Sequence, residues 1–236
     1  MKISTVLFDL DGTLLPMDQE VFVAAYFKGI AAKLAPAGYE PEKLIKAIWA
    51  GTGAMIQNDG KCTNEAAFWS CFTALWGRQA LEDLPLFEEY YRTDFQEVRA
   101  VCGFAPAAKA LIRQLKDAGV RRVLATNPIF PQIATHSRIR WAGLEPDDFA
   151  HITTYENSTF CKPNPAYYRQ ILEVLGLSPE ECVMVGNDVG DDMAAQALWM
   201  QVFLLTDCLI NQDGADLSRW PHGGFRELSD FLASRI

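Results

Sequence analysis

The sequence predicts an α/β protein: a parallel, Rossmann-like sheet with an all-helical cap subdomain inserted over its C-terminal edge. Three observations carry this expectation. An apolar run, Ile3 to Phe8, ends in the acidic turn DLDGT at 9 to 13. The stretch from about 18 to 100 then shows helical periodicity and no convincing strand. From Ala105 onward, helical and apolar strand-like segments alternate, as in successive units of a parallel sheet with right-handed crossovers.

The elements follow in chain order. Val6, Leu7 and Phe8 are consecutive apolar residues, as expected of a parallel strand covered on both faces. Helix-like segments of the insert are Asp18 to Leu34, Pro41 to Trp49, Asn64 to Trp76 and Pro85 to Val98. The alternating half pairs Ala107 to Ala118 with Val120 to Ala125, Gln132 to Trp141 with His151 to Thr154, Pro165 to Leu175 with Cys182 to Val185, and Asp191 to Trp199 with Val202 to Leu205. Gly119, Gly143 and Gly176 stand where left-handed helix caps are expected. Ser178 and Glu181 have capping-box spacing, with Pro179 at the first helical position. The expected sheet has about five strands. Residues 1–15 and 101–236 would form the core and 16–100 the cap.

Composition narrows the classes of function. Half of the 236 residues are hydrophobic, enough for a substantial core. A net charge of −9 argues against nucleic-acid and anionic-membrane partners, which are bound through clustered Lys and Arg. Six scattered cysteines without CxxC spacing suit reduced, mostly buried thiols. No signal-like apolar N-terminus and no bilayer-length apolar stretch is present, so the expected location is cytoplasmic and a membrane pump is set aside. The expected assembly is a monomer or small homo-oligomer.

Chemistry concentrates at the predicted strand ends. Asp9 and Asp11, two residues apart at the exit of the first strand, can act as nucleophile and proton donor in phosphoryl transfer. Thr126 and Asn127, after Val123 to Ala125, offer a hydroxyl and backbone N–H groups to phosphate oxygens, although turn chemistry alone also favours these residues. Lys162, set between prolines in CKPNP, can neutralise phosphate charge and keep the nucleophile ionised. GNDVGDD at 186 to 192 crowds three aspartates at a strand end, which a Mg²⁺ ion or a helix N-terminus would compensate. Asp9, Asp188 and the backbone carbonyl of Asp11 are the candidate metal oxygens.

In this order and spacing, DLDGT, Thr126, Lys162 and GNDVGDD resemble the haloacid-dehalogenase-like (HAD) hydrolase superfamily, in the subfamily with a helical cap inserted after the first motif. The resemblance implies Asp9 as nucleophile, Asp11 as general acid and base, Thr126 as phosphate binder, Lys162 as charge stabiliser and Asp188 as Mg²⁺ ligand. One departure is visible. In the family's fourth motif the first acidic residue usually follows the glycine directly, where this chain has Asn187. The register therefore pairs either Asn187 with Asp191 or Asp188 with Asp192; an anionic oxygen favours Asp188 as the ligand.

The expected activity is Mg²⁺-dependent hydrolysis of a small phosphorylated metabolite through an aspartyl-phosphate. A phosphomutase or a non-catalytic phospholigand-binding protein of the same fold are the alternatives. Dehalogenation is disfavoured because halide departure gives Asp11 no proton to deliver. In the insert, Trp49, Phe68, Trp69, Phe72 and Trp76 recur at helical spacing, as cap core or as an aromatic lining for an apolar or planar leaving group. The loop Gly51 to Lys61 is the candidate for polar substrate contacts.

Overall fold

The computed structural model describes residues 2–236 and places six parallel strands in the order β3-β2-β1-β4-β5-β6. These are β1 (Thr5–Phe8), β2 (Arg121–Leu124), β3 (His151–Ile152), β4 (Cys182–Gly186), β5 (Gln201–Leu205) and β6 (His222–Gly223). The chain runs outward from β1 to β3 on one side, then returns to start β4 on the other. Strand order therefore reverses between β1 and β4, which opens a crevice at their C-terminal ends. Phe8 pairs with both Leu124 and Val185, so residues 9 and 10 emerge beside 125–126 and 186–187.

Every residue of β1 and of β4 is buried, as the unbroken apolar runs require. The pleat divides them. Val6 and Phe8 join Val183, Val185 and Phe203 in one core cluster, which also takes in the apolar faces of α5 (Pro106–Asp117), α6 (Gln132–Trp141) and α8 (Phe225–Ala233). Leu7, Val123, Met184 and Leu204 face the opposite way, against α7 (Pro165–Leu175). Helix α5 shows why it docks: Ala108, Leu111, Ile112 and Leu115 recur three and four residues apart and all are buried.

The insert contributes α1 (Gln19–Leu34), α2 (Pro41–Ile56), α3 (Asn64–Trp76) and α4 (Leu84–Arg92). Each of the first three has a side-chain N-cap. Asp18 accepts from Val21 N, Glu40 from Glu42 N and Lys43 N, and Thr63 from Ala66 N. Phe22, Tyr26, Ile30 and Leu34 form one buried stripe along α1. Phe72 is fully buried among Phe68, Trp69, Trp76 and Phe87, an edge-to-face and stacked aromatic cluster. No single helix among the described residues is long and apolar enough to cross a membrane; α1 with its short extension and α2 pass only as a pair bent by 119°.

Four expectations need correction. The segment Pro85 to Val98 is not one helix: Thr93 leaves helical geometry and its hydroxyl bonds Glu89 O and Asp94 Oδ2, after which Asp94–Val101 continues as tighter 3-10 turns. Asp191 to Trp199 is likewise 3-10 from Met193 to Leu198, because the aspartates before it are engaged in side-chain contacts rather than in a regular first turn. Ser178 makes no capping hydrogen bond, and Pro179–Glu181 is a single turn. Helix α2 extends to Ile56, so the polar loop starts at Gln57 and not at Gly51. The sheet also gains β6, followed by α8, whose two-residue strand is too short to show periodicity. The left-handed glycines hold: Gly119, Gly143 and Gly176 have φ of 72°, 76° and 61°.

Candidate active site

At the crevice, the loops after β1, β2 and β4 and the turn before α7 enclose a cleft of about 190 Å³. Asp9, Asp11, Thr126, Asn127, Lys162 and Asp188 all line it, so every residue singled out from sequence converges on one space. Asn187, Asp191 and Asp192 line it too, with Met17, Gln19, Phe22 and Phe130 on the side of the insert and the loop after β2.

Gly12 has φ of 85°, and the chain after Asp11 turns back so that Gly12 N donates to Leu15 O. A Cβ on Gly12 would lie 2.4 Å from Asn187 Nδ2, so this turn excludes any side chain. Asn187 itself is buried and bonded at both ends of its amide: its Oδ1 accepts from Thr13 Oγ1 at 2.9 Å and its Nδ2 donates to Cys208 O at 2.7 Å. It ties the β1 and β4 loops together.

Lys162 sits at the centre of the charge arrangement. Its Nζ donates to Asp9 Oδ1 at 2.8 Å and to Asp192 Oδ1 at 2.6 Å, and its side chain is 1% exposed. Burial alone would lower the ammonium's pKa, but Asp192 and Asp9 outweigh it and hold the group well above its ordinary value. Asp9 is pushed up to about 7, first by burial, against the pull of Lys162 and with the repulsion of Asp192 and Asp11. Asp192 Oδ2 in turn accepts from Asp188 N at 2.9 Å. Asp188 Oδ1 accepts from Gly190 N and Asp191 N, and burial raises its carboxyl despite those bonds. Asp191 is pushed up to about 6 by burial, and its Oδ2 accepts from Asn127 Nδ2 at 3.2 Å. Asp192 thus meets the lysine and Asp191 meets Asn127.

One residue was not singled out from sequence. Arg138 on α6 is 1% exposed, and its guanidinium donates to Asp11 Oδ2 while lying 4.5 Å from the ring centroid of Phe130. Its only signal in the sequence is helical phase with Ala134, and Arg140, two residues on, is equally basic yet solvated and paired with Glu145. The loop Gln57 to Lys61 contributes nothing to the cleft. Asn58 Nδ2 donates to Cys62 O and Asn64 Oδ1, and Asp59 pairs with Lys61.

Five carboxylates therefore face two cations in a partly closed space. Two buried oxygens, Asp11 Oδ1 and Asn127 Oδ1, have no hydrogen-bond partner. Such an imbalance fits a bound divalent cation. Among the described residues no three His, Cys, Asp or Glu side chains converge to chelate an ion by themselves. The carboxylate and amide oxygens at the cleft suit Mg²⁺, which takes one or two protein carboxylates and fills its octahedron with water and phosphate oxygens.

Comparison with known proteins agrees with this geometry. Residues 3–198 match the family model for haloacid dehalogenase-like hydrolases. A phosphoglycolate phosphatase of Yersinia pestis is 30% identical over 201 residues, covering 81% of this chain and 76% of its own. A phosphoglycolate phosphatase of Pseudomonas putida is 26% identical over 208 residues, covering 85% of this chain and 68% of its own. In fold, the crystal structure of a 2-haloacid dehalogenase from Pseudomonas syringae superposes with a TM-score of 0.65 at 21% identity, over 99% of this chain and all of that one. With the family model spanning most of its length and both phosphatase relatives covering four-fifths of it, the chain belongs to the haloacid dehalogenase-like hydrolases, as a phosphoric monoester hydrolase.

Proposed function

We propose that the protein hydrolyses a small phosphorylated metabolite through an aspartyl-phosphate on Asp9. The observation that carries this is Asp9 at the C-terminal end of β1 with one oxygen held by Lys162 at 2.8 Å. That contact fixes the carboxylate and leaves its other oxygen for phosphorus. Asp9 attacks in line, the bond from phosphorus to the ester oxygen breaks, and Asp11 gives its proton to the departing alcohol. Arg138 holds Asp11 Oδ2, so Oδ1, which has no other partner, is the oxygen that moves the proton. Asp11 then takes a proton from water, which attacks the aspartyl-phosphate and releases phosphate. Thr126 and Asn127 bind the phosphoryl oxygens from the β2 side.

Asp9, Asp188 and the backbone carbonyl of Asp11 would hold Mg²⁺. When bound, the ion offsets charge on the transferring phosphoryl group. Residues 16–100 serve as the cap over a core of 1–15 and 101–236. In support, the two connections run side by side at that boundary, where Met17 bridges Cys102 and Gly103 N donates to Pro16 O at 2.7 Å.

Phosphate release from a chromogenic phosphate monoester tests the reading. Activity is expected with Mg²⁺, none after exhaustive chelation, and little with Ca²⁺, whose larger and looser shell misplaces nucleophile and phosphate. Full turnover in the presence of excess chelator removes the metal from the mechanism.

A Mg²⁺ titration of two variants separates ligand from scaffold. Asp188→Asn is expected to raise the Mg²⁺ concentration for half-maximal activity sharply, beyond the roughly ten- to hundredfold typical of residues that only orient a ligand. Asn187→Ala orphans Thr13 Oγ1 and Cys208 O, so it is expected to lower stability by about 1–3 kcal/mol while leaving the Mg²⁺ requirement nearly unchanged. The opposite pattern reverses the two assignments.

A further inference from the structure

Beside the catalytic cleft lies a second, larger cavity of about 400 Å³ between the insert and the core. The two spaces share Val23, Ile129 and Phe130 as a common wall. A compound held by its phosphoryl group at Asp9 therefore has this cavity next to it for the rest of its body.

The lining has a definite chemical character. Tyr26, Phe27, Trp49, Phe68, Trp69 and Tyr155 give it an aromatic wall, from α1, α2, α3 and the loop after β3. Its only charged side chains are Glu65, Glu88 and Glu156, with no lysine, arginine or histidine among the lining residues. Glu156 Oε1 accepts from Gln132 N at 2.8 Å, while Oε2 is buried without a partner. Burial and then Glu156 raise the carboxyl of Glu65, so the two glutamates stand close enough to repel. Trp49 is 52% exposed although its ring lies 5.3 Å from that of Phe27, which leaves an indole face uncovered at the mouth.

The cavity is held in shape from both sides. Asn64, at the start of α3, is fully buried and its Nδ2 donates to Pro128 O at 3.1 Å and Phe160 O at 3.3 Å. The next residue, Glu65, donates its N–H to Tyr155 O at 2.8 Å. Insert and core are thereby fastened at the cavity's edge, and the aromatic walls are preorganised for a ligand.

We propose that this cavity receives the leaving group, and that the enzyme acts on phosphate monoesters of bulky apolar alcohols carrying no negative charge; the proposal rests on the phosphatase reading above. A space of this size accepts a ring-sized body, and aromatic walls gain from burying apolar area. A carboxylate in the leaving group, as in phosphoglycolate, would meet three glutamates and no cation among the lining residues, where water is partly excluded. The same glutamates can accept a hydrogen bond from a hydroxyl or amine at the far end of the substrate.

The test compares kcat/KM of the Mg²⁺-loaded full chain for 1-naphthyl phosphate, 2-phosphoglycolate and acetyl phosphate, the last reporting chemistry that needs little contact with the cavity. Naphthyl phosphate is expected to exceed phosphoglycolate by at least about tenfold, one such step corresponding to a single good aromatic contact. Trp49→Ala is expected to lower the ratio of naphthyl to acetyl phosphate turnover by about tenfold, chiefly through KM. Glu156→Gln, which removes a like charge with little change of shape, is expected to raise phosphoglycolate relative to naphthyl phosphate. Equal or better use of phosphoglycolate by the unmodified chain, or an unchanged naphthyl-to-acetyl ratio in Trp49→Ala, overturns the proposal while acetyl phosphate turnover keeps the phosphatase reading. Loss of all three activities in the unmodified chain removes that reading and the proposal together.

Discussion

Asp9→Asn is expected to reduce phosphate release by at least about 10⁴-fold, the scale seen when a covalent nucleophile is deleted. The amide keeps the shape of the carboxyl and still offers an oxygen to Lys162, so the fold persists and the loss is chemical. Stability gives the independent readout. Burial raises the folded pKa of Asp9 to about 7, well above its ordinary value. The folded protein therefore holds a proton that the unfolded chain has released, and the metal-free enzyme loses stability as pH rises from the usual carboxylate range through about 7. Asparagine carries no such penalty. In excess chelator, the variant's melting temperature should match the parent's at pH 4 and exceed it at pH 8. A well-folded Asp9→Asn with substantial turnover would falsify the nucleophile assignment, and a melting difference independent of pH would contradict the electrostatic account of the site.

Lys162→Met is expected to damage both the fold and the activity, for separable reasons. The ammonium bridges two buried carboxylates, and Asp192 is only 1% exposed, so its removal leaves charge without compensation in the interior. Breaking such a pair from one side typically costs about 3–5 kcal/mol. Activity should fall by at least about 10³-fold, because a fixed positive charge at the transferring phosphoryl group is lost. The double variant Lys162→Met with Asp192→Asn isolates the two effects. It should recover the part of the stability lost through Asp192, whose charge is gone while Asp9 remains unpaired, and none of the activity. Chemical denaturation of the parent and both variants, beside phosphate release, decides the matter. Recovery of turnover in the double variant would reduce Lys162 to a structural role.

The parts of this protein legible in the linear chain are those governed by local physics. Helices α3, α6 and α7 have the limits expected from periodicity, caps and proline placement. The buried strands announce themselves because a parallel sheet covered on both faces admits only apolar residues in β1 and β4. Where local signals compete, the expectation fails: Thr93 has a hydroxyl that captures backbone groups and divides one apparent helix into two, and β6 is too short to carry any period.

The candidate catalytic residues are legible for a related reason. Asp9, Asp11, Thr126, Asn127, Lys162 and Asp188 each follow an apolar strand or open a helix, and α/β topology brings such ends to one edge. Their partners are another matter. That Arg138 rather than Arg140 reaches Asp11 depends on which face of α6 meets the β1 loop, a question of packing between segments 127 residues apart. That Asp192 rather than Asp191 meets Lys162 depends on how the turn after β4 folds over a loop 30 residues earlier.

The aromatic residues of the insert mark the same division. Spacing alone shows that Trp49, Phe68, Trp69, Phe72 and Trp76 fall on helices, and it leaves open whether they fill a core or line a space. The structure gives Phe72 to the core and turns Trp49, Phe68 and Trp69 toward the cavity. Sequence by itself determined the fold class, the order of the elements and which strand-end residues gather at the cleft, because apolar periodicity and strand-end chemistry are encoded residue by residue. Only the tertiary structure decided the pairings of charge and the shape of the space around them, because these arise from side chains far apart in the chain that meet through packing.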